Sequence, residues 1–123
     1  MRDIDELFDA LSRSKFRSRF RLSKKDADYL ETKGLEAVLE HARQFVETRL
    51  APADLPNDGR QTPMKNHPAF VAQHAVAACC RKCLEKWHGI NQGKPLTADH
   101  VDHIIKVMKR WLEQQIPQNT SPI

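Results

Sequence analysis

Apolar side chains recur along this chain at the three- and four-residue spacing of an α-helix, and two polar stretches rich in Pro and Gly interrupt them. Ile4, Leu7, Phe8 and Leu11 share one face and predict a short amphipathic helix from Asp3 to about Ser12. Ser23, with Asp26 three residues on, is a capping-box pattern that starts a second helix. Gly34 ends or kinks that helix. Leu35, Val38, Leu39, Ala42, Phe45, Val46 and Arg49 then form the cleanest helical stripe of the chain.

Residues 51–66 contain Pro52, Pro56, Gly59 and Pro63 and predict a loop, long for a compact domain. Pro68 sits where a helix tolerates it best, in the first turn, and the following helix is expected to run to about Trp87. Gly89, Gly93 and Pro95 mark a second loop. Thr97 caps a final helix with Val101, Ile104, Ile105, Met108, Trp111 and Leu112 on its apolar face. Pro117 should stop it. The fold class that follows is all-α: a compact bundle of four to five helices with a long polar loop before a central buried helix. Residues 1–116 are expected to form one helical domain and residues 117–123 a disordered tail.

Composition narrows the classes. The chain has 123 residues, 40% hydrophobic and 29% charged, which suits one globular core. No apolar run approaches the roughly 18 residues of a membrane span. The start, MRDIDELFDAL, is acidic where a signal peptide is basic, so a cytoplasmic location and no membrane partner are expected. Three cysteines, two of them adjacent, argue for reduced thiols rather than a disulfide framework.

Charge is unevenly placed. The net charge is +4, yet seven basic residues and no acid lie between Arg13 and Lys25. Arg13, Lys15, Arg17, Arg19 and Arg21 alternate with a second parity that includes Phe16, Phe20 and Leu22. An extended chain would place five cations on one side and its anchors on the other, and a helix would equally group Phe16 with Phe20 and Arg13 with Arg17 and Arg21. Such a surface suits phosphate backbones, with steep salt dependence. A solvated cationic face paired with the acids of DIDELFD is the competing reading. No RNP, helix-turn-helix or GxxG signature supports base-specific recognition.

The stretch from Asn57 to His88 concentrates the remaining chemistry. Cys80, Cys83 and His88 have the spacing of the first three ligands of a zinc knuckle, but its fourth position falls on Gly93. A closed site must therefore borrow His67, His74 or Cys79, and the helix must break near Cys80. On a continuous helix all three thiols instead face the core with Val76, Leu84 and Trp87, as small hydrophobes. No basic residue is evidently aimed at a thiol to lower its pKa. On that same helix His74, Arg81 and Glu85 share the polar stripe. With Arg60 and Lys65 from the loop, and free N–H groups near His67, they outline an anion or phosphate site. His67 or His74 could instead serve an enzyme as a base oriented by Asp58. His100 and His103 read as solvated first-turn residues of the last helix.

Four segments resemble a small bacterial family known as domain of unknown function 4186: KFRSRFRL at 15–22, GLEAVLEHARQFVETRLAPA at 34–53, NDGRQTPMKNHPAFVAQHAVAACCRKCLEKWHGI at 57–90, and GKPLT at 93–97. The resemblance implies a compact cytoplasmic domain and brings no activity or cofactor with it. The family pattern is similar to TPMxxHPxFxAQHATATCCRxCLxKWH, so Val76 and Ala78 stand where it has threonines. A ligand role for those hydroxyls would be absent from this chain.

Three functional readings follow. The first is a phosphate or nucleic-acid module using Arg13, Lys15, Arg17, Arg19, Arg21, Arg60, Lys65, His67, His74 and Arg81. The second is a zinc domain on Cys80, Cys83 and His88 with His67 or His74. The third is a small-molecule enzyme or ligand protein using His67 and His74.

Overall fold

A computed structural model describes residues 1–116. Six helices form the structure, with no strand among the described residues. They are α1 (Ile4–Arg13), α2 (Lys24–Lys33), α3 (Leu35–Arg49), α4 (Pro68–Ala75), α5 (Arg81–Cys83) and α6 (Ala98–Gln115). A 3₁₀ turn (Arg17–Arg19) follows α1, and a π turn (Leu84–His88) continues α5. The expected all-α architecture is present. The stop at Pro117 and the tail 117–123 lie outside the described residues.

The ends of the helices follow local chemistry. Asp3 caps α1, Ser23 caps α2 through the Asp26 N–H, and Gly34 separates α2 from α3 at φ 91°. That φ with ψ 150° is a conformation essentially only glycine adopts. The capping box expected at Ser23 is half formed, because the Asp26 carboxyl does not turn back to the Ser23 N–H. A full box appears at Thr97, whose partner is the His100 ring.

The middle of the bundle is α4. Seven of its eight residues are buried, and it packs against α2, α3, α6 and the 3₁₀ turn. A helix apolar on nearly every face has to be interior. Around it stand Leu7, Leu30, Val38, Val46, Leu50, Ile104, Met108 and Leu112, all fully or almost fully buried.

The expected continuous helix from Pro68 to Trp87 does not form. It stops at Ala75, and a Schellman motif ends it: the Ala78 N–H bonds Gln73 O at 2.7 Å and the Ala77 N–H bonds His74 O at 3.3 Å. Ala77 takes the left-handed position at φ 60°, where glycine is usual, at a cost of about 1–2 kcal/mol. Side chains from elsewhere in the chain satisfy the groups released by the break. Val76 O accepts from His88 Nε2, Ala78 O from Gln73 Nε2, and Cys79 O from Thr62 Oγ1. Asp58 accepts the Arg81 and Lys82 N–H groups at the start of α5.

The break moves the histidines. His88 is completely buried, and His103 is buried rather than solvated, because the π turn sets His88 Nδ1 3.0 Å from His103 Nε2. Burial pushes the His88 pKa down to about 4, from an ordinary 6.5. The folded chain thus holds a neutral ring where the unfolded chain takes up a proton below pH 6.5. Its stabilising contribution is complete above that pH and is lost as pH falls towards 4, amounting to about 3 kcal/mol. Urea midpoints measured from neutral pH down to about pH 5 should fall for the wild type, and the His88→Gln chain should show a flatter slope. Equal slopes would exclude His88 as the titrating group.

Candidate functional site

The break in the helix assembles a thiol cluster. Cys79 lies in the link, Cys80 caps α5, and Cys83 closes it. The Cys80 sulfur accepts the Cys83 N–H at 3.4 Å, the tight-turn contact that orients a Cys-x-x-Cys pair. All three Sγ atoms lie within 4.8 Å of one another. Cys79 and Cys80 are only 7% and 6% exposed, and Cys83 is half-buried.

Arg17 reaches this cluster from the 3₁₀ turn. Its Nη2 donates to Cys83 Sγ at 3.2 Å, and its Nη1 donates to His74 O at 2.7 Å and approaches Cys79 Sγ at 3.7 Å. A cation on His74 O also sits at the negative end of the α4 dipole. The Cys79 thiol is held below its ordinary pKa, first by a hydrogen bond from the Cys83 thiol and then by Arg17, against the opposing effect of burial. Cys83, as the hydrogen-bond donor, is pushed strongly upward, and burial adds to this. Burial likewise raises Cys80. The arrangement makes Cys79 the thiol most readily deprotonated, served by a neighbouring thiol and a guanidinium.

The imidazoles are engaged elsewhere. A carbonyl can only accept, so His88 donates through Nε2 to Val76 O at 2.8 Å and its Nδ1 accepts from His103. His74 is buried, donates to Thr62 O at 2.9 Å and stacks on Phe20. His67 caps its own helix: Nδ1 accepts the Ala69 N–H at 3.0 Å, which leaves Nε2–H to donate to His41 Nδ1 at 3.2 Å. Burial first, then His41, lowers the His67 pKa. The zinc set expected from spacing, Cys80, Cys83 and His88 with His67 or His74, is therefore not brought together. The thiols alone are, with Cys79 included.

The sequence model of the family described as Domain of unknown function (DUF4186) matches residues 5–113. The chain belongs to the DUF4186 family. No solved structure matches it.

Several expected phosphate contacts of this DUF4186 chain serve the fold instead. Arg81, expected on a solvated face, is 3% exposed. Its guanidinium donates to Leu50 O at 3.1 Å, Pro52 O at 2.9 Å, Asn91 O at 3.0 Å and Lys94 O at 2.7 Å. Asp58 caps α5 rather than orienting a histidine base. The N–H groups expected to be free near His67 are engaged in part by His67 itself.

In the basic segment the DUF4186 chain forms a turn, so the strict alternation of cations does not hold. Arg17 points inward, Arg13 pairs with Asp9, and Arg21 folds onto Ser18 O and Phe20 O. Phe20 is the inner anchor, while Phe16 is 44% exposed and carries Arg19 over its ring. Lys15, Arg19, Arg21, Arg60 and Lys65 remain exposed. Arg21 and Lys25 line one cleft with Lys65, so the basic segment and the 57–67 loop do meet.

One functional group escaped sequence reasoning. Arg17 as the thiols' partner has no local signal, because 62 and 66 residues separate it from Cys79 and Cys83. Cys79, one of the three residues a closed site could borrow, joins Cys80 and Cys83 through a break that no Gly or Pro announces. Arg81→Lys should cost about 3 kcal/mol of stability, because a lysine cannot span carbonyls from two loops. Denaturant unfolding tests this, and a loss below about 0.5 kcal/mol would remove the structural role.

Proposed function

We propose that this domain binds a soft metal ion, zinc, through Cys79, Cys80 and Cys83. The observation that carries this reading is the convergence of three thiols within 4.8 Å beside the guanidinium of Arg17. Tetrahedral zinc with Zn–S bonds of about 2.3 Å needs sulfurs about 3.8 Å apart, a small adjustment from such a cluster. Three thiolates, one zinc ion and Arg17 are neutral together, which suits a mostly buried site. No imidazole stands ready as a fourth ligand, so the fourth position would be open to water or an external donor. Reduced thiols fit a reducing compartment such as the cytoplasm. No helix among the described residues is long and apolar enough to cross a membrane.

Protein purified without chelator or affinity tag should carry about one zinc per chain by mass spectrometry. Serine at position 79, 80 or 83 should abolish it, whereas His88→Gln should retain it. Apparent affinity should fall steeply as pH falls, because the raised Cys80 and Cys83 thiols each release a proton on binding. Metal-free protein with unchanged stability would sink the reading.

A second reading, phosphate or nucleic-acid binding on the basic face, is favoured by the shared cleft of Arg21, Lys25 and Lys65. Exposed Phe16 with Lys15 and Arg19 extends the same surface. We propose that Lys15, Arg19, Arg21, Lys25 and Lys65 make the phosphate contacts. Affinity for a short single-stranded oligonucleotide should fall steeply with salt, and replacing Lys15, Arg19 and Arg21 by alanine should flatten that slope. An unchanged slope in the triple variant would remove this reading.

A further inference from the structure

Asp26 is 7% exposed, yet its carboxyl group has neither a hydrogen bond nor an ion-pair partner among the described residues; only its N–H is engaged, by Ser23. Its carboxylate oxygens face the clefts, without a donor from the described residues and open to a ligand. Asp26 lies where two clefts meet. One, of about 360 Å³, is walled by Tyr29, Thr32, His67 and Pro68. The other, of about 210 Å³, holds Arg21, Lys25 and Lys65. Lys25, Asp26 and Asn66 belong to both.

The two clefts ask for different chemistry. The first offers aromatic surface, the Tyr29 and His67 rings meeting edge to face at 5.3 Å and 61°. Both His67 nitrogens are already committed, so that ring contributes surface and not a polar contact. Two carboxylates line it: that of Asp28 is exposed and paired with Lys24, and that of Asp26 has no partner among the described residues and presents two acceptor oxygens. The second cleft presents cations, which suit phosphate. A ligand filling both needs a planar ring with two adjacent N–H donors, joined to a phosphate. Guanine alone among the common nucleobases has that pair on its Watson–Crick edge, at N1 and the 2-amino group. An amino acid would satisfy Asp26 through its ammonium group but is small for the joined volume.

We propose that this junction binds a guanine nucleotide, with Asp26 accepting from N1–H and the 2-amino group and Arg21, Lys25 and Lys65 holding the phosphate. The proposal rests on the phosphate reading of the basic face and adds the base that is read. It assigns a recognition role to Asp26, a residue that the sequence pattern marked only as part of a helix cap.

Calorimetric titration of the full chain with GMP, IMP, AMP and inorganic phosphate tests it. IMP lacks only the 2-amino group. GMP should bind at least about tenfold more tightly than IMP and AMP. Asp26→Asn should remove that preference and leave the weaker phosphate-driven affinity. Lys65→Ala should weaken all nucleotides alike. The Asp26→Asn chain should melt at or above the wild-type temperature, because the carboxyl makes no hydrogen bond or ion pair with the described residues. A lower melting temperature would make Asp26 a structural residue and overturn the assignment. Equal affinity for GMP, IMP and AMP would overturn guanine recognition while leaving the phosphate reading intact. No binding of any nucleotide or of phosphate at low salt would remove both. Short oligoguanylate set against oligoadenylate separates the sources: preference for the strand over GMP points to single-stranded nucleic acid, and equal affinity points to the free nucleotide.

Discussion

Every backbone polar group released where α4 stops lies in an interior with little access to water, and each must find a partner inside the chain. This constraint organises the molecule. Residues Val76 to Cys80 carry little side-chain volume, and the carbonyls and N–H groups between Val76 and Lys82 are met by Gln73, His88, Thr62 and Asp58. Those partners come from α4 itself, the π turn and the 51–66 loop. The long loop is thereby tied to the core through its polar atoms, as a surface segment of its length otherwise rarely is.

Two arginines complete the arrangement, and both turn inward. Arg81 gathers carbonyls from the end of α3 and from the 91–94 loop, closing the bundle at one end. Arg17 caps α4 and meets the thiols. A guanidinium suits these positions because its donors are rigid, planar and always charged, so several carbonyls or sulfurs can be served at once. The same break that demands Arg17 as a cap also brings Cys79 to Cys80 and Cys83. Fold and thiol chemistry therefore share a cause.

The outer surface behaves differently. Once Arg17 and Arg81 are internal and Arg13 is paired with Asp9, the cations left on the basic face are fewer than the sequence count suggests. They are also better grouped, since Arg21 and Lys25 join Lys65 across a cleft with Asp26 at its floor. A metal centre under the 3₁₀ turn and a nucleotide cleft beside it would share that basic segment, Arg17 facing one and Arg21 the other.

The 3.6-residue stripes, the Ser23 and Thr97 caps, Gly34 and the Pro-rich loop determined the helical class and most element boundaries, because helix formation and termination are local events decided within a few residues. A buried central helix was legible too, but not that its expected polar stripe would turn inward, with His74 and Arg81 both buried. The break after Ala75 was not: AVAACC contains neither Gly nor Pro, and a helix is its local preference. The structure shows that preference overridden, since Gln73, His88, Thr62 and Asp58 reward the open conformation with hydrogen bonds a continuous helix would leave unmade. From that one override follow the buried His88 and His103, the inward Arg81, and Cys79 beside Cys80 and Cys83. Residue types and spacing could nominate thiols, imidazoles and cations. Which of them meet is decided by contacts between positions far apart in the chain, and these exist only after the helices have packed.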